Sequence, residues 1–113
     1  MGLRRGARLT DSPEFERVYK QGTAYRGRLI SVHAFSNDAG GPRLGLSVSK
    51  KVGNAVVRNG VKRRLREIFR DELPEIQAER DFVISARPAA SGATYQELEE
   101  EFGKAMRKLG DRA

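Results

Sequence analysis

The chain has 113 residues, with 22 Lys/Arg against 15 Asp/Glu, a formal net charge of +7 and a pI near 10.2. This predicts a single small domain spanning residues 1–113, with a modest core and an affinity for polyanions. The absence of cysteine excludes a disulfide framework and a thiolate metal site, and no apolar run approaches the roughly 18 residues of a membrane span.

The segment Met1–Leu9 is charged and has no apolar core, so it does not read as a secretory signal; cytoplasmic residence is the expectation. Thr10-Asp11-Ser12-Pro13 then reads as a helix start, and Glu14 and Glu16 suit its positive end. This helix is predicted to reach about Lys20 and to stop at Gly22, with Phe15 and Tyr19 on one face. Residues 22–28 are read as a short edge strand. Leu29–Phe35 is a strand with Ile30, Val32 and Ala34 on one face and Ser31, His33 and Phe35 on the other. Asn37–Pro42 is a turn. Arg43–Ser49 is a further strand, with Leu44, Leu46 and Val48 toward the core and Gly45, Ser47 and Ser49 away from it. Paired with the preceding strand, it would put Ser31, His33, Ser47 and Ser49 on one side.

Lys50 and Lys51 lead into a predicted helix over about 55–73, closed before Pro74. At 100° per residue, Val57, Ile68, Val61 and Leu65 fall between about 0° and 80°. Arg58, Lys62, Arg66, Asn59, Arg70 and Arg63 fall between about 100° and 240°. An ordinary solvated helix face mixes charge signs at i,i+4 spacing. Here Arg58, Lys62, Arg66 and Arg70 follow one another at that spacing without an acid among them. Such a row repels itself unless an anion sits on it, so the pattern points to phosphate binding. The asymmetry extends over the chain: residues 1–70 carry a net +11 and residues 71–113 a net −4.

Asp81–Arg87 is another strand, ended by Pro88. Thr94 caps a final helix with Leu98, Phe102, Met106 and Leu109 on one face. Glu97, Glu99, Glu100 and Glu101 on this helix resemble a mostly solvated face, not a carboxylate pair for hydrolysis. The order is α+β, with a sheet and helices against it. His33 stands alone, without carboxylates at ligand spacing, and suits a groove-lining or structural role better than metal ligation or acid–base catalysis. No nucleophile–base constellation or phosphate-binding glycine loop is present. No protein-borne catalytic residue or metal ligand is therefore assigned. If the first helix packs at the sheet edge, aromatic and small polar side chains beside a cationic helix describe a cleft for single-stranded nucleic acid; an ordinary solvent-facing sheet side, and core packing of Phe15 and Tyr19, are the alternatives.

Gly45-Leu46-Ser47-Val48-Ser49-Lys50-Lys51-Val52-Gly53-Asn54-Ala55-Val56-Val57-Arg58-Asn59, followed by Lys62-Arg63-Arg64-Leu65-Arg66-Glu67, resembles the signature of the bacterial ribonuclease P protein family. Arg8-Leu9, Phe15 and Gly22 resemble its N-terminal pattern. The resemblance implies a two-layer α/β sandwich of order α-β-β-β-α-β-α with a left-handed βαβ crossover. It also implies a ribonucleoprotein that removes the 5′ leader of precursor tRNA, one protein per catalytic RNA, with Mg²⁺ bound mainly by that RNA. Carried over by position, Arg58, Asn59, Lys62, Arg63 and Arg66 would contact the RNA subunit, joined by Lys50, Lys51 and Arg70. Phe15, Tyr19, Ser31, His33, Ser47 and Ser49 would line the leader cleft. Gly60 departs from the family pattern, which usually has a basic residue there; arginine at this position is expected to tighten RNA binding.

Two rival readings remain at this point. One is a general RNA-binding or ribosomal-type protein with no share in a reaction. The other is a stand-alone nuclease, which would have to rely on His33 and scattered acids.

Overall fold

A computed structural model describes residues 23–36, 40–72 and 80–109. The predicted first helix, with Phe15 and Tyr19, lies outside these residues. Among them are four strands: β1 (Thr23–Arg26), β2 (Ile30–Ser36), β3 (Arg43–Ser47) and β4 (Arg80–Ala86). Helix α1 (Ala55–Glu72) joins β3 to β4, and α2 (Tyr95–Leu109) follows a short 3₁₀ helix at Pro88–Gly92. The α+β class and the edge strand β1 are as predicted.

The pairing of the strands differs from the simplest expectation. The sheet order is β1-β2-β4-β3, so β4 separates β2 from β3. It runs antiparallel to β2 and parallel to β3. The β3–α1–β4 segment is therefore a crossover between adjacent parallel strands, which a tight hairpin cannot make. Residues opposite each other in register share a face. Val32, Ile84 and Leu46 form one cross-sheet row and Ala34, Phe82 and Leu44 another. These rows meet Val61, Leu65, Ile68 and Phe69 of α1 and Leu98, Phe102 and Met106 of α2 in one core.

Phe69 refines the reading of the basic helix. Its angular position falls at about 120°, inside the arc assigned to Arg58 and Lys62. It is nevertheless fully buried, packing edge-on against Phe82 at 5.7 Å and Phe102 at 6.1 Å between ring centroids. Val57, Val61, Leu65 and Phe69 are successive i+4 positions, so the periodicity did carry this signal. Burying the ring draws Arg58 and Lys62 down to the edge of the core, where both are half-buried.

The final helix starts as its sequence predicts, with an added partner. Thr94 Oγ1 accepts from the Glu97 amide at 3.1 Å, and Glu97 Oε1 accepts from the Thr94 amide at 2.9 Å. This reciprocal box satisfies two otherwise unpaired donors. These bonds hold the Glu97 carboxyl below its ordinary value, helped by Arg28. Glu101 is the exception to the solvated acidic face. Its Oε2 turns inward and accepts from the amides of Leu29 and Ile30 at 2.8 and 2.6 Å.

Candidate nucleic-acid interface

The site is built on the turn between β3 and α1 and on the outer surface of α1. Past Ser47 the chain leaves the sheet. The carbonyl of Ser49 accepts from the Val52 amide at 3.1 Å, and its hydroxyl accepts from the Lys51 amide at 3.3 Å. Ser49 is thus a turn residue, exposed and beyond the end of β3, not part of the sheet face. The strand stops because its backbone groups are taken up by this turn. Lys50 and Lys51 stand exposed on it.

Gly53 lets the turn close onto the helix: a Cβ there would meet the Val57 side chain at 2.9 Å. Asn54 then caps α1, its Oδ1 accepting from the Val57 amide at 3.0 Å and its carbonyl from the Arg58 amide at 2.9 Å. No acid occupies the first turn of α1. The positive end of the helix dipole therefore adds to Lys50 and Lys51 without compensation.

The cations of α1 are sorted as expected and are largely unneutralised. Arg58, Lys62, Arg63 and Arg66 make no ion pair among the described residues. Asn59 and Arg63 are exposed, while Arg58, Lys62, Arg66 and Arg70 are half-buried. The Nε of Arg58 is buried without a hydrogen-bond partner among the described residues. Arg70 is the exception, 3.5 Å from Asp71 in an exposed pair that is weak in water. Val56 lies on the outer side of the same helix and is 80% exposed. The sequence reading gave it no role, although its place opposite the apolar arc was readable.

The second sheet face contains three of the four predicted cleft positions. Ser31, Ser85 and Ser47 lie in one row across β2, β4 and β3, with Arg26 of β1 at its end. His33, Val83 and Gly45 make the next row, and Phe35, Asp81 and Arg43 a third. The shared face survives the changed strand order because β4 conserves the register on both sides. It is not, however, an open solvent face. Ser31 is 7% and His33 5% exposed, and Val83 is fully buried. Arg26 is exposed on this face, and Ala24, Phe35, Arg43, Ser47 and Ser85 are partly exposed. Ser85, whose hydroxyl is buried without a partner, was missed because its strand was not known to lie between the other two. Burial pushes the His33 imidazole below its ordinary value, and the nearby Arg26 charge adds to this. It is neutral at pH 7, consistent with a structural position.

One end of this face is fixed by a buried ion pair. Arg43 Nε and Nη2 donate to Asp81 Oδ1 and Oδ2 at 2.7 and 2.8 Å, and the Asp81 side chain is fully buried. Among the described residues no group of three or more His, Cys, Asp or Glu side chains is placed to hold a metal ion. None of their helices is long and apolar enough to cross a membrane.

A cationic helix on the flank of a small α+β sheet is a general design, and comparison with known proteins makes it specific. The family model described as Ribonuclease P matches residues 3–110. The chain belongs to the ribonuclease P protein family. It is 42% identical over 107 residues to the ribonuclease P protein component of Beutenbergia cavernae, covering 94% of this chain and 90% of that protein. To the same component of Bacillus pumilus it is 36% identical over 107 residues, with the same coverage. The structure of the Staphylococcus aureus RNase P protein superposes with a TM-score of 0.86 at 32% identity, covering 95% of this chain and 98% of that one. The Thermotoga maritima RNase P protein gives 0.78 at 28% identity, covering 90% and 94%.

Proposed function

We propose that this chain is the protein subunit of a ribonuclease P ribonucleoprotein, and that α1 with Lys50 and Lys51 docks on the phosphates of its RNA partner. The observation that carries this reading is the row of unneutralised cations Arg58, Lys62, Arg63 and Arg66 on the helix. Four such charges release about as many condensed counterions on binding, which gives a steep salt dependence. Asn59 adds a donor and an acceptor for a base edge or a ribose hydroxyl.

The 5′ leader of precursor tRNA is assigned to the second sheet face, with Ser47 and Phe35 beside it and Phe15 and Tyr19 as the aromatic contribution of the N-terminal segment. Ser31 and His33 support that face from below the surface. The protein positions strands and neutralises charge, and the RNA subunit performs the endonucleolytic cleavage. Mg²⁺ belongs to the RNA in this scheme, since guanidinium and ammonium groups on α1 make no seat for a divalent cation. One protein per RNA, acting in the cytoplasm, completes the proposal.

The test is reconstitution at low Mg²⁺ with ribonuclease P RNA and precursor tRNA. Stimulated leader removal supports the reading. Binding without stimulation favours a general RNA-binding role, and cutting by the protein alone would favour a protein nuclease.

A further inference from the structure

Beyond the residues assigned above, one arginine of α1 is arranged for a ligand. Arg64 lies outside the main cationic arc, on the flank that reads Val56, Gly60 and Arg64 at successive i+4 positions. Side chains of a helix lean toward its N-terminus. Arg64 accordingly lies back over Gly60, and a Cβ built on Gly60 would meet its Nη2 at 3.7 Å. Among the described residues that is the one side-chain atom within 4 Å of the glycine position. The glycine is therefore a notch in the helix surface with a guanidinium at one side and the exposed Val56 at the other.

Among the described residues the charge of Arg64 is not used: it makes no ion pair with them, and its Nη1 is buried without a hydrogen-bond partner. A donor buried without a partner is costly on a cation, and an anion in the notch beside Nη2 would draw the guanidinium outward and relieve that cost. The acids of this flank lie on the far side, because Glu67 and Asp71 are C-terminal to Arg64 while its side chain runs the other way. Asp71 is moreover engaged by the Tyr95 hydroxyl at 3.2 Å and by Arg70 at 3.5 Å.

We infer that Gly60 and Arg64 form a phosphate subsite: the bare glycine admits an RNA phosphodiester close to the helix, and the Arg64 guanidinium holds it. This rests on the reading of α1 as the RNA-docking helix, and extends that interface from the Arg63 side around the N-terminal half of the helix. Glycine is suited to the position because a longer side chain would fill the notch or displace the guanidinium. An arginine placed at 60 would then compete with Arg64 for the same phosphate, so its benefit depends on whether Arg64 is present.

The experiment is a double-mutant cycle with the full chain and ribonuclease P RNA, measuring Kd across salt concentrations. Arg64→Met, which keeps the apolar stem, is expected to weaken binding about tenfold and reduce the magnitude of the salt slope by about 0.7–0.9. Gly60→Arg is expected to restore the slope in the Arg64→Met background and to add less in the natural one. Arg64→Lys, which preserves charge without the planar fork, should keep the slope and lose part of the affinity. Arg66→Ala serves as the reference for the main face. If Arg66→Ala flattens the slope while Arg64→Met and Arg64→Lys leave both quantities unchanged, the subsite is wrong and the docking helix stands. If none of the three has an effect, the docking reading fails and the subsite with it. Should Arg64→Met lower the melting temperature, the Lys variant and the Gly60→Arg rescue decide: equal gains from Gly60→Arg in both backgrounds overturn the inference.

Discussion

Gly27 and Glu101 approach so closely that a Cβ on Gly27 would stand 2.6 Å from the carboxyl carbon of Glu101. The carboxylate cannot simply swing away, because it holds the amides of Leu29 and Ile30. This contact ties the turn between β1 and β2 to α2, and so helps set Arg26 and Ser31 at the end of the serine row. Gly27→Ala should therefore displace Glu101 and break two charge-assisted hydrogen bonds, costing about 2–3 kcal/mol. Denaturant unfolding measures it. A loss below about 0.5 kcal/mol, the level of an ordinary surface substitution, would show that the turn accommodates the methyl group.

The cations of α1 predict a graded electrostatic response. Alanine at Arg58, Lys62 or Arg66 should each lower the magnitude of the salt slope for RNA binding by about one phosphate contact. Melting temperature should change little for Arg66. Arg58→Ala also removes a side chain lying at the core edge, so some stability should be lost there through packing. An unchanged slope in all three variants would mark these residues as structural.

Arg43 and Asp81 predict an asymmetric pair of variants. Removing Arg43 takes the bidentate partner from a carboxylate with no exposed surface and should cost on the order of 3 kcal/mol. Removing Asp81 leaves a guanidinium that is 18% exposed and better able to reach water. Arg43→Met is thus expected to destabilise more than Asp81→Asn. The reverse order in urea unfolding would show that the cost lies with the cation.

His33 predicts a loss of stability toward acid. Its folded pKa lies below the ordinary 6.5, so the unfolded chain takes up the proton first as pH falls. The contribution is intact above about 6.5, declines as pH drops through that value, and levels off below the folded pKa. Melting temperatures at pH 7.5 and 5.5 should differ more for the natural chain than for His33→Gln. Identical differences would remove His33 as the titrating group. Arg26→Gln should raise the His33 pKa only partly, since burial is the larger cause.

Much of this molecule was legible from periodicity and capping. The segregation of charge on residues 55–72, the stop before Pro88 and the Thr94 cap each depend on neighbours within about one helical turn or one strand. Local chemistry is sufficient for them because helical and strand periods place such residues on defined faces whatever the rest of the chain does.

What the sequence could not decide was everything set by contacts between distant segments. Insertion of β4 between β2 and β3 brought Ser85 into the serine row. The turn after Ser47 took Ser49 off that face, and Ser31 and His33 became buried. Phe69 met Phe82 and Phe102 as its ring partners, and Glu101 turned inward to the β1–β2 turn. Strand order and side-chain burial follow from which segments pack together, and an alternating strand supplies the same faces to any neighbour that fits it.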